Sequence, residues 1–340
     1  MIKLLIYGIG ETYQKLRRII KWENVQLLAF VDSYKFRDKT WEGGGKVIPP
    51  DNIVAWEFDY ILCASDYENE MRRTLKELHI PDEKIISGKL NYENILEHKY
   101  LFNISHFLAY QNQTIEKSVN VLMERNRFCD IRQGLEWLDE TISITGDGAW
   151  AVGYDYLSVL CKILQIMEPQ NILEMGLGQS SKVIIGYQKS SGCNYKVIEQ
   201  DENWYNFFRK DNLSMSNDIE IFIRPVKQIF NEKYGVNINC YSDISDIVAD
   251  DTYDLISIDG PWGSDGISRT DILPYIPQCL KKSWAVLLDD YERDGEKNLI
   301  YELETILKNC KIHYRKKIYG KYRQLCLLTS DDNQFLCSLF

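Results

Sequence analysis

The sequence predicts an α/β protein of two doubly wound parallel sheets joined by a helical connector, the second sheet having seven strands. Three observations predict this. Short apolar runs alternate with amphipathic stretches over the first 90 residues, the same alternation resumes near Ala151, and each half opens on a G-x-G turn after an apolar run, Gly8-Ile-Gly10 and Gly176-Leu-Gly178. The expected boundaries are 1–90, 91–145 for the connector, and 146–340.

In the first half, Lys3–Tyr7 reads as a buried strand, Gly8–Glu11 as a turn and Tyr13–Lys21 as a helix with Leu16, Ile19 and Ile20 on one face. Val25–Val31, Lys46–Ile48, Tyr60–Ala64 and Lys84–Ser87 read as further strands, and Glu68–Leu78 as a helix. Parallel strands joined by right-handed crossovers follow from that order. The connector is helical, with Ile95, Leu96, Phe107, Leu108, Val121, Leu122, Leu135 and Leu138 expected to pack against one or both neighbours.

In the second half, Tyr156–Met167 forms an amphipathic helix stopped by Pro169. Asn171–Met175, Tyr195–Ile198, Ile219–Phe222, Asp254–Ile258 and Trp284–Leu288 read as five buried parallel strands, with Cys310–Lys316 and Tyr322–Thr329 as the last two. Helices are expected near Ser180–Tyr187, Trp204–Phe208, Thr270–Cys279 and Glu296–Leu307.

The 340 residues carry 40 Lys+Arg against 50 Asp+Glu, a net charge of −10, which argues against nucleic acid or an anionic membrane surface as a partner. The nine cysteines form no C-x-x-C pair, so neither structural zinc nor a disulfide framework is expected. The opening MIKLLIYGIG is too short and Gly-rich for a signal peptide or a spanning helix, and a reducing cytoplasm is the expected compartment.

The segment Asn171-Ile-Leu-Glu-Met-Gly-Leu-Gly-Gln-Ser-Ser181 sets an acid at a strand end, then G-x-G, then hydroxyls opening a helix. Glycines let a ligand approach the backbone, and the helix start offers free N–H groups. Glu199 closes the next strand, where a carboxylate accepts hydrogen bonds from ribose hydroxyls. With Glu174, Gly176 and Gly178 matching the first motif and Glu199 the ribose acid, the chain resembles the class I S-adenosylmethionine-dependent methyltransferases. That resemblance implies S-adenosylmethionine as cofactor, held by Glu174, Gly176, Gly178, Ser180 and Glu199, with Trp150 as a covering contact; Trp150 reads equally as interdomain packing.

Two further strands end in acids, at Asp259 and at Asp289-Asp290. Ligands of open parallel sheets lie beyond the carboxyl ends of the strands, so the three should converge near the cofactor's sulfonium. Clustered carboxylates raise one another's pKa unless a cation joins them, and hard oxygen ligands suit Mg²⁺. Leu288-Asp-Asp-Tyr291 taken with Asp259 resembles metal-dependent O-methyltransferases, including the macrocin O-methyltransferase family, which implies Asp259, Asp289 and Asp290 as metal ligands; Gly260-Pro-Trp-Gly263 departs from that pattern. Without metal, Asp259 is the candidate general base and a cofactor contact, His106 is a second candidate base, and Asp289 or Asp290 caps a helix or pairs with Arg293. Trp262 is expected to wall the acceptor site, and Arg269 to hold an acceptor phosphate or carboxylate or else to sit solvated on the surface.

In the first half, Gly8 and Gly10 follow a strand and Asp32 ends the next, but Tyr13 stands at the third glycine position and crowds helix against strand, which speaks against tight NAD binding. The stretch to Ser87, with Phe30-Val-Asp32 and Cys63-Ala-Ser-Asp-Tyr67, resembles the Rossmann-like N-terminal domain of sialic-acid-type and bacillosamine acetyltransferases. The resemblance implies that Gly8, Gly10, Asp32 and Ser65 contact a nucleotide or sugar; a ligand-free domain kept for dimerisation or rigidity is the alternative. Together the two halves suggest methylation of a sugar hydroxyl on a small-molecule nucleotide sugar or surface-glycan precursor. Methylation of O, N or C on a non-sugar molecule, an NAD(P)-dependent nucleotide-sugar oxidoreductase using the first half, and a non-enzymatic binding module are the alternatives. The 22 tyrosines are compatible with a homo-oligomer interface.

Overall fold

The structure, a computed structural model, describes residues 1–33, 45–139, 142–146, 151–211 and 219–340. Its contacts divide the chain into two compact units, 1–116 and 117–340.

The first unit runs β1 (Ile2–Tyr7), α1 (Glu11–Leu16), β2 (Val25–Val31), β3 (Val47–Ile48), β4 (Tyr60–Cys63), α2 (Glu68–Glu77), β5 (Ile85–Ser87), α3 (Tyr92–Glu97) and the start of α4 (Ile104–Gln133). The five strands are parallel in the order β3-β2-β1-β4-β5. Successive residues of β1 point to opposite faces, Leu4 and Ile6 into one core and Leu5 and Tyr7 into the other, so the strand reads as a continuous apolar run. The first helix ends at Leu16 rather than Lys21, because the chain beyond it pairs with 101–103: the Asn103 N–H donates to the Ile19 carbonyl at 2.7 Å and the Lys21 N–H to Leu101 at 2.9 Å. Tyr13 is buried edge-on against Phe30, 5.2 Å between ring centres, filling the helix–sheet space a third glycine leaves open.

The second unit holds the rest of α4, then α5 (Tyr154–Met167), β6 (Asn171–Met175), α6 (Gln179–Ser191), β7 (Asn194–Glu199), α7 (Glu202–Asp211), β8 (Glu220–Ile223), β9 (Val226–Asn231), β10 (Val236–Tyr241), α8 (Ser245–Val248), β11 (Tyr253–Ile258), β12 (Leu280–Leu288), α9 (Asp294–Asn309), β13 (Arg315–Tyr319) and β14 (Leu325–Thr329). The expected seven-stranded sheet forms in the order β13-β14-β12-β11-β6-β7-β8, its last two strands antiparallel to their neighbours. One core lies under α5 and α6, with Ile172, Leu255 and Leu287; the other lies under α8 and α9, with Leu173, Ile256 and Leu288. At the amino ends of the strands, Asp254 Oδ2 accepts from the Gln170 and Asn171 N–H groups and pairs with Lys281, each at 2.8 Å, fixing β6 beside β11.

Three further readings are corrected. The expected helix at Thr270–Cys279 is a 3-10 segment over Thr270–Tyr275, since Pro274 supplies no N–H for an α-helical ladder. The penultimate strand lies at Arg315–Tyr319, a few residues later than expected. Of the connector positions, Ile95, Phe107, Leu135 and Leu138 are buried, whereas Leu96, Leu108, Val121 and Leu122 are exposed. The antiparallel pair β9–β10 was not anticipated, although Val236, Ile238 and Cys240 alternate and Gly235 turns with φ +67°. Among the described residues no helix is long and apolar enough to cross a membrane.

Candidate functional site

A cavity of about 1300 Å³ opens at the carboxyl ends of β6, β7, β11 and β12, where sheet order predicts a ligand. Its floor begins at the turn after β6. Gly176 has φ +101°, and a Cβ there would stand 2.9 Å from the backbone nitrogen of Gly260. The converse holds too: a Cβ on Gly260 would meet Gly176 backbone at 3.0 Å and the Tyr241 hydroxyl closer still. The ends of β6 and β11 thus touch backbone to backbone, which requires glycine on both sides. At Gly178 a Cβ would meet nothing within 4 Å, so this part of the turn is open.

Beneath the turn runs a buried hydrogen-bond chain. The Gly178 N–H donates to Ser181 Oγ at 2.8 Å, Ser181 donates to Glu174 Oε2 at 2.6 Å, and the Tyr195 hydroxyl donates to the same oxygen. Glu174 is fully buried and Ser180 nearly so, and neither lines the cavity. Both expected contacts are therefore corrected: these residues shape the turn from behind. Burial pushes the Glu174 carboxyl up to about 7, against the hydroxyls of Ser180, Ser181 and Tyr195.

Glu199 does line the cavity. Its Oε2 accepts from the Leu177 N–H at 2.8 Å and its Oε1 from Gln200 and Asp201 at 2.7 and 2.8 Å. Three of roughly four lone-pair directions are used, leaving one for a ligand hydroxyl. Burial raises its pKa and the three N–H donors oppose that rise. Two wall residues were missed in the sequence: Trp204, whose ring N–H donates to the Leu177 carbonyl at 2.6 Å, and Gln200, whose side-chain oxygen accepts from the Trp262 N–H at 3.0 Å. Trp150 lies outside the described residues.

Asp259, Asp289 and Asp290 converge as expected, with ligand atoms within 4.8 Å of one another. The cations among them are the chain's own. Arg269 Nη2 lies 3.2 Å from Asp259 Oδ1 and 3.0 Å from Asp290 Oδ2, and its Nε 3.7 Å from the buried Glu296. Arg323 Nη2 pairs with Asp289 at 2.7 Å, and Arg293 with Asp290 at 2.8 Å. Burial and the charge of Asp259 push the Asp289 carboxyl up, against Arg323. One oxygen of each carboxylate, Asp259 Oδ1, Asp289 Oδ2 and Asp290 Oδ2, already points at an arginine, so a divalent ion would compete with guanidiniums for this set. Arg269 is 3 % exposed and internally bound, which corrects both its reading as an acceptor clamp and the solvated alternative.

Asp259 retains one accessible side toward the cavity, its side chain 23 % exposed. Burial raises its pKa, Arg269 lowers it and Asp290 raises it again. Trp262 stands half-exposed in the cavity wall. His106 is exposed on α4 in the first unit. In that first unit, Gly8 (φ +97°), Gly10, Asp32 and Ser65 lie at or beyond the carboxyl ends of β1, β2 and β4; a Cβ on Gly8 would strike the Ala64 carbonyl at 2.8 Å, and the Ser65 hydroxyl accepts from the Tyr67 N–H at 3.2 Å.

A family model described as C2185-like, N-terminal, matches residues 1–86. No curated protein matches the chain. Solved structures of similar fold include an O-methyltransferase from Bacillus cereus in complex with SAH, 13% identical over 61% of this chain and 91% of that one, TM-score 0.37. A precorrin-6y C5,15-methyltransferase from Geobacter metallireducens is 12% identical over 56% and 94%, TM-score 0.38. The methyltransferase FkbM from Methylobacillus flagellatus is 12% identical over 96% and 90%, TM-score 0.34.

The buried Glu174 carboxyl has a testable signature. Its folded pKa of about 7 exceeds the ordinary 4.5, so its stabilising share is complete below pH 4.5 and is lost as pH rises through 7. Urea unfolding should find that Glu174→Gln removes on the order of 3 kcal/mol of the stability change between those limits. Identical pH dependence in both proteins would contradict the assignment.

Proposed function

We propose that residues 117–340 form an S-adenosylmethionine-dependent O-methyltransferase whose acceptor is a hydroxyl of a small molecule. The observation that carries this reading is the meeting, in one cavity, of Gly176 and Leu177 of the glycine turn, Glu199 and the accessible side of Asp259. The volume of about 1300 Å³ exceeds the usual range of roughly 300–1,000 Å³ for one ligand, as a reaction of two bound molecules requires.

S-adenosylmethionine, when bound, supplies an electrophilic methyl group on a sulfonium. The chain's residues bind, orient and take a proton. Backbone at Gly176 and Leu177 permits close approach, and the remaining lone pair of Glu199 accepts a ribose hydroxyl. Asp259 accepts the acceptor hydroxyl's proton as the oxygen attacks, while Arg269, bonded to its other side, holds the carboxylate in one orientation. No step is assigned to a divalent ion.

The acceptor we favour is a carbohydrate hydroxyl on a nucleotide sugar or glycan precursor. Trp262 offers an aromatic face to sugar C–H surfaces, and the resemblance of the first unit to sugar-nucleotide domains would set Gly8, Gly10 and Asp32 against a nucleotide or sugar. A dinucleotide role for that unit gains nothing from its turn, where Tyr13 fills the helix–sheet space.

Calorimetric titration with S-adenosylhomocysteine should give saturable binding, weakened about tenfold or more in Glu199→Gln through loss of a charged acceptor. Absence of binding to the folded protein overturns the cofactor reading. In labelled-methyl transfer to candidate acceptors, Asp259→Asn should lose on the order of 10²-fold or more in kcat while S-adenosylhomocysteine still binds. Because the base works ionised and its pKa is raised, the wild-type rate should fall as pH drops, beginning above the ordinary carboxylate range. Full activity in Asp259→Asn would place the base elsewhere.

A further inference from the structure

Trp262, the aromatic wall of the acceptor end, is 54 % exposed, so packing holds only part of its ring. Its peptide groups are held by side chains from two elements distant in sequence. On one side the Trp262 N–H donates to Gln200 Oε1 at 3.0 Å. On the other, Asn239 of β10 donates through Nδ2 to the carbonyls of Trp262 and Gly263, each at 3.3 Å, and through its own N–H to Ser264 Oγ at 2.7 Å. Asn298 of α9 completes the hold on the 262–266 loop, its Nδ2 donating to the Gly266 carbonyl at 2.6 Å. Gln200 differs from the two asparagines in what its backbone does. Its N–H donates to Glu199 Oε1 at 2.7 Å, and the other oxygen of that carboxylate accepts from the Leu177 N–H at 2.8 Å. A path of three hydrogen bonds therefore runs from the glycine turn through Glu199 and Gln200 to Trp262.

Resting on the reading of this cavity as a cofactor and acceptor site, we propose that Gln200 is a positioning residue that couples its two ends. A ribose hydroxyl on the remaining lone pair of Glu199 steadies the carboxylate, the carboxylate steadies the Gln200 backbone, and the Gln200 side chain steadies the peptide that carries the Trp262 ring. The ordering cost of the wall then falls on the first ligand, so the acceptor binds more tightly to the cofactor-loaded protein than to the empty one. In-line methyl transfer loses rate steeply when its two reactants are misplaced by even about 1 Å, which gives such a tie its use. Asn239 holds the same loop from outside this path and sets its resting position.

The test follows backbone amide exchange in the full chain with S-adenosylhomocysteine as the probe. In the wild type, saturating probe should slow exchange at 176–181 and also at 262–266. In Gln200→Leu without probe, the Trp262 amide should exchange about fivefold faster or more, having lost its acceptor. Probe should then slow 176–181 alone, with a calorimetric affinity within about threefold of the wild type. Gln200→Glu keeps an acceptor oxygen and should restore the response at 262–266. Asn239→Leu should raise exchange at 262–266 yet leave its response to probe in place. Slowing at 262–266 that survives in Gln200→Leu overturns the coupling, as does a wild type in which 176–181 respond and 262–266 do not. No response at either place, with no heat of binding, overturns the cofactor reading instead.

Discussion

The buried guanidinium of Arg269 is the constraint on which the candidate site depends. It joins the end of β11 through Asp259, the end of β12 through Asp290, and the first turn of α9 through Glu296. Its own backbone, with φ +56°, begins the 3-10 segment after the 260–268 loop. Removing one member of such a buried set leaves charge without compensation, commonly a cost of about 3–5 kcal/mol. The loop, two strands and a helix are therefore fixed relative to one another by one side chain, with Arg323 adding the β13–β14 hairpin.

A second constraint is steric. Gly176 and Gly260 touch through backbone atoms, which brings the end of β6 against the end of β11 and leaves the adjacent Gly178 open. The turn's shape is maintained from below by Glu174, Ser181 and Tyr195 and from the side by Glu199. The open face and its supports thus belong to different residues, although they share one short motif.

Most of the fold was legible because both faces of each central strand are largely buried, so β1, β6, β11 and β12 appear as mainly apolar runs that stop at glycine or aspartate. Where the reading failed, tertiary pairing decided the outcome: residues 101–103 truncate α1, and Leu96 on α3 and Leu108, Val121 and Leu122 on α4 stay exposed because those helix positions are not covered by the sheets. For the site, strand-end logic located Asp259, Asp289, Asp290 and Glu199. It could not reveal that Arg269 and Arg323, 10 and 64 residues beyond Asp259, return to neutralise the cluster, nor that Glu174 faces inward. Those facts depend on loop geometry, for which a sequence pattern carries little information.

The arginine-filled cluster has a consequence for how the cavity meets its surroundings. A floor whose counter-charges are covalently part of the chain needs no ion from the medium to balance its carboxylates. Its geometry is likewise preset, because guanidiniums that already bridge the carboxylates need not be recruited from solution before a ligand arrives. The site is charge-balanced on folding, by the chain rather than by a supply of free cations.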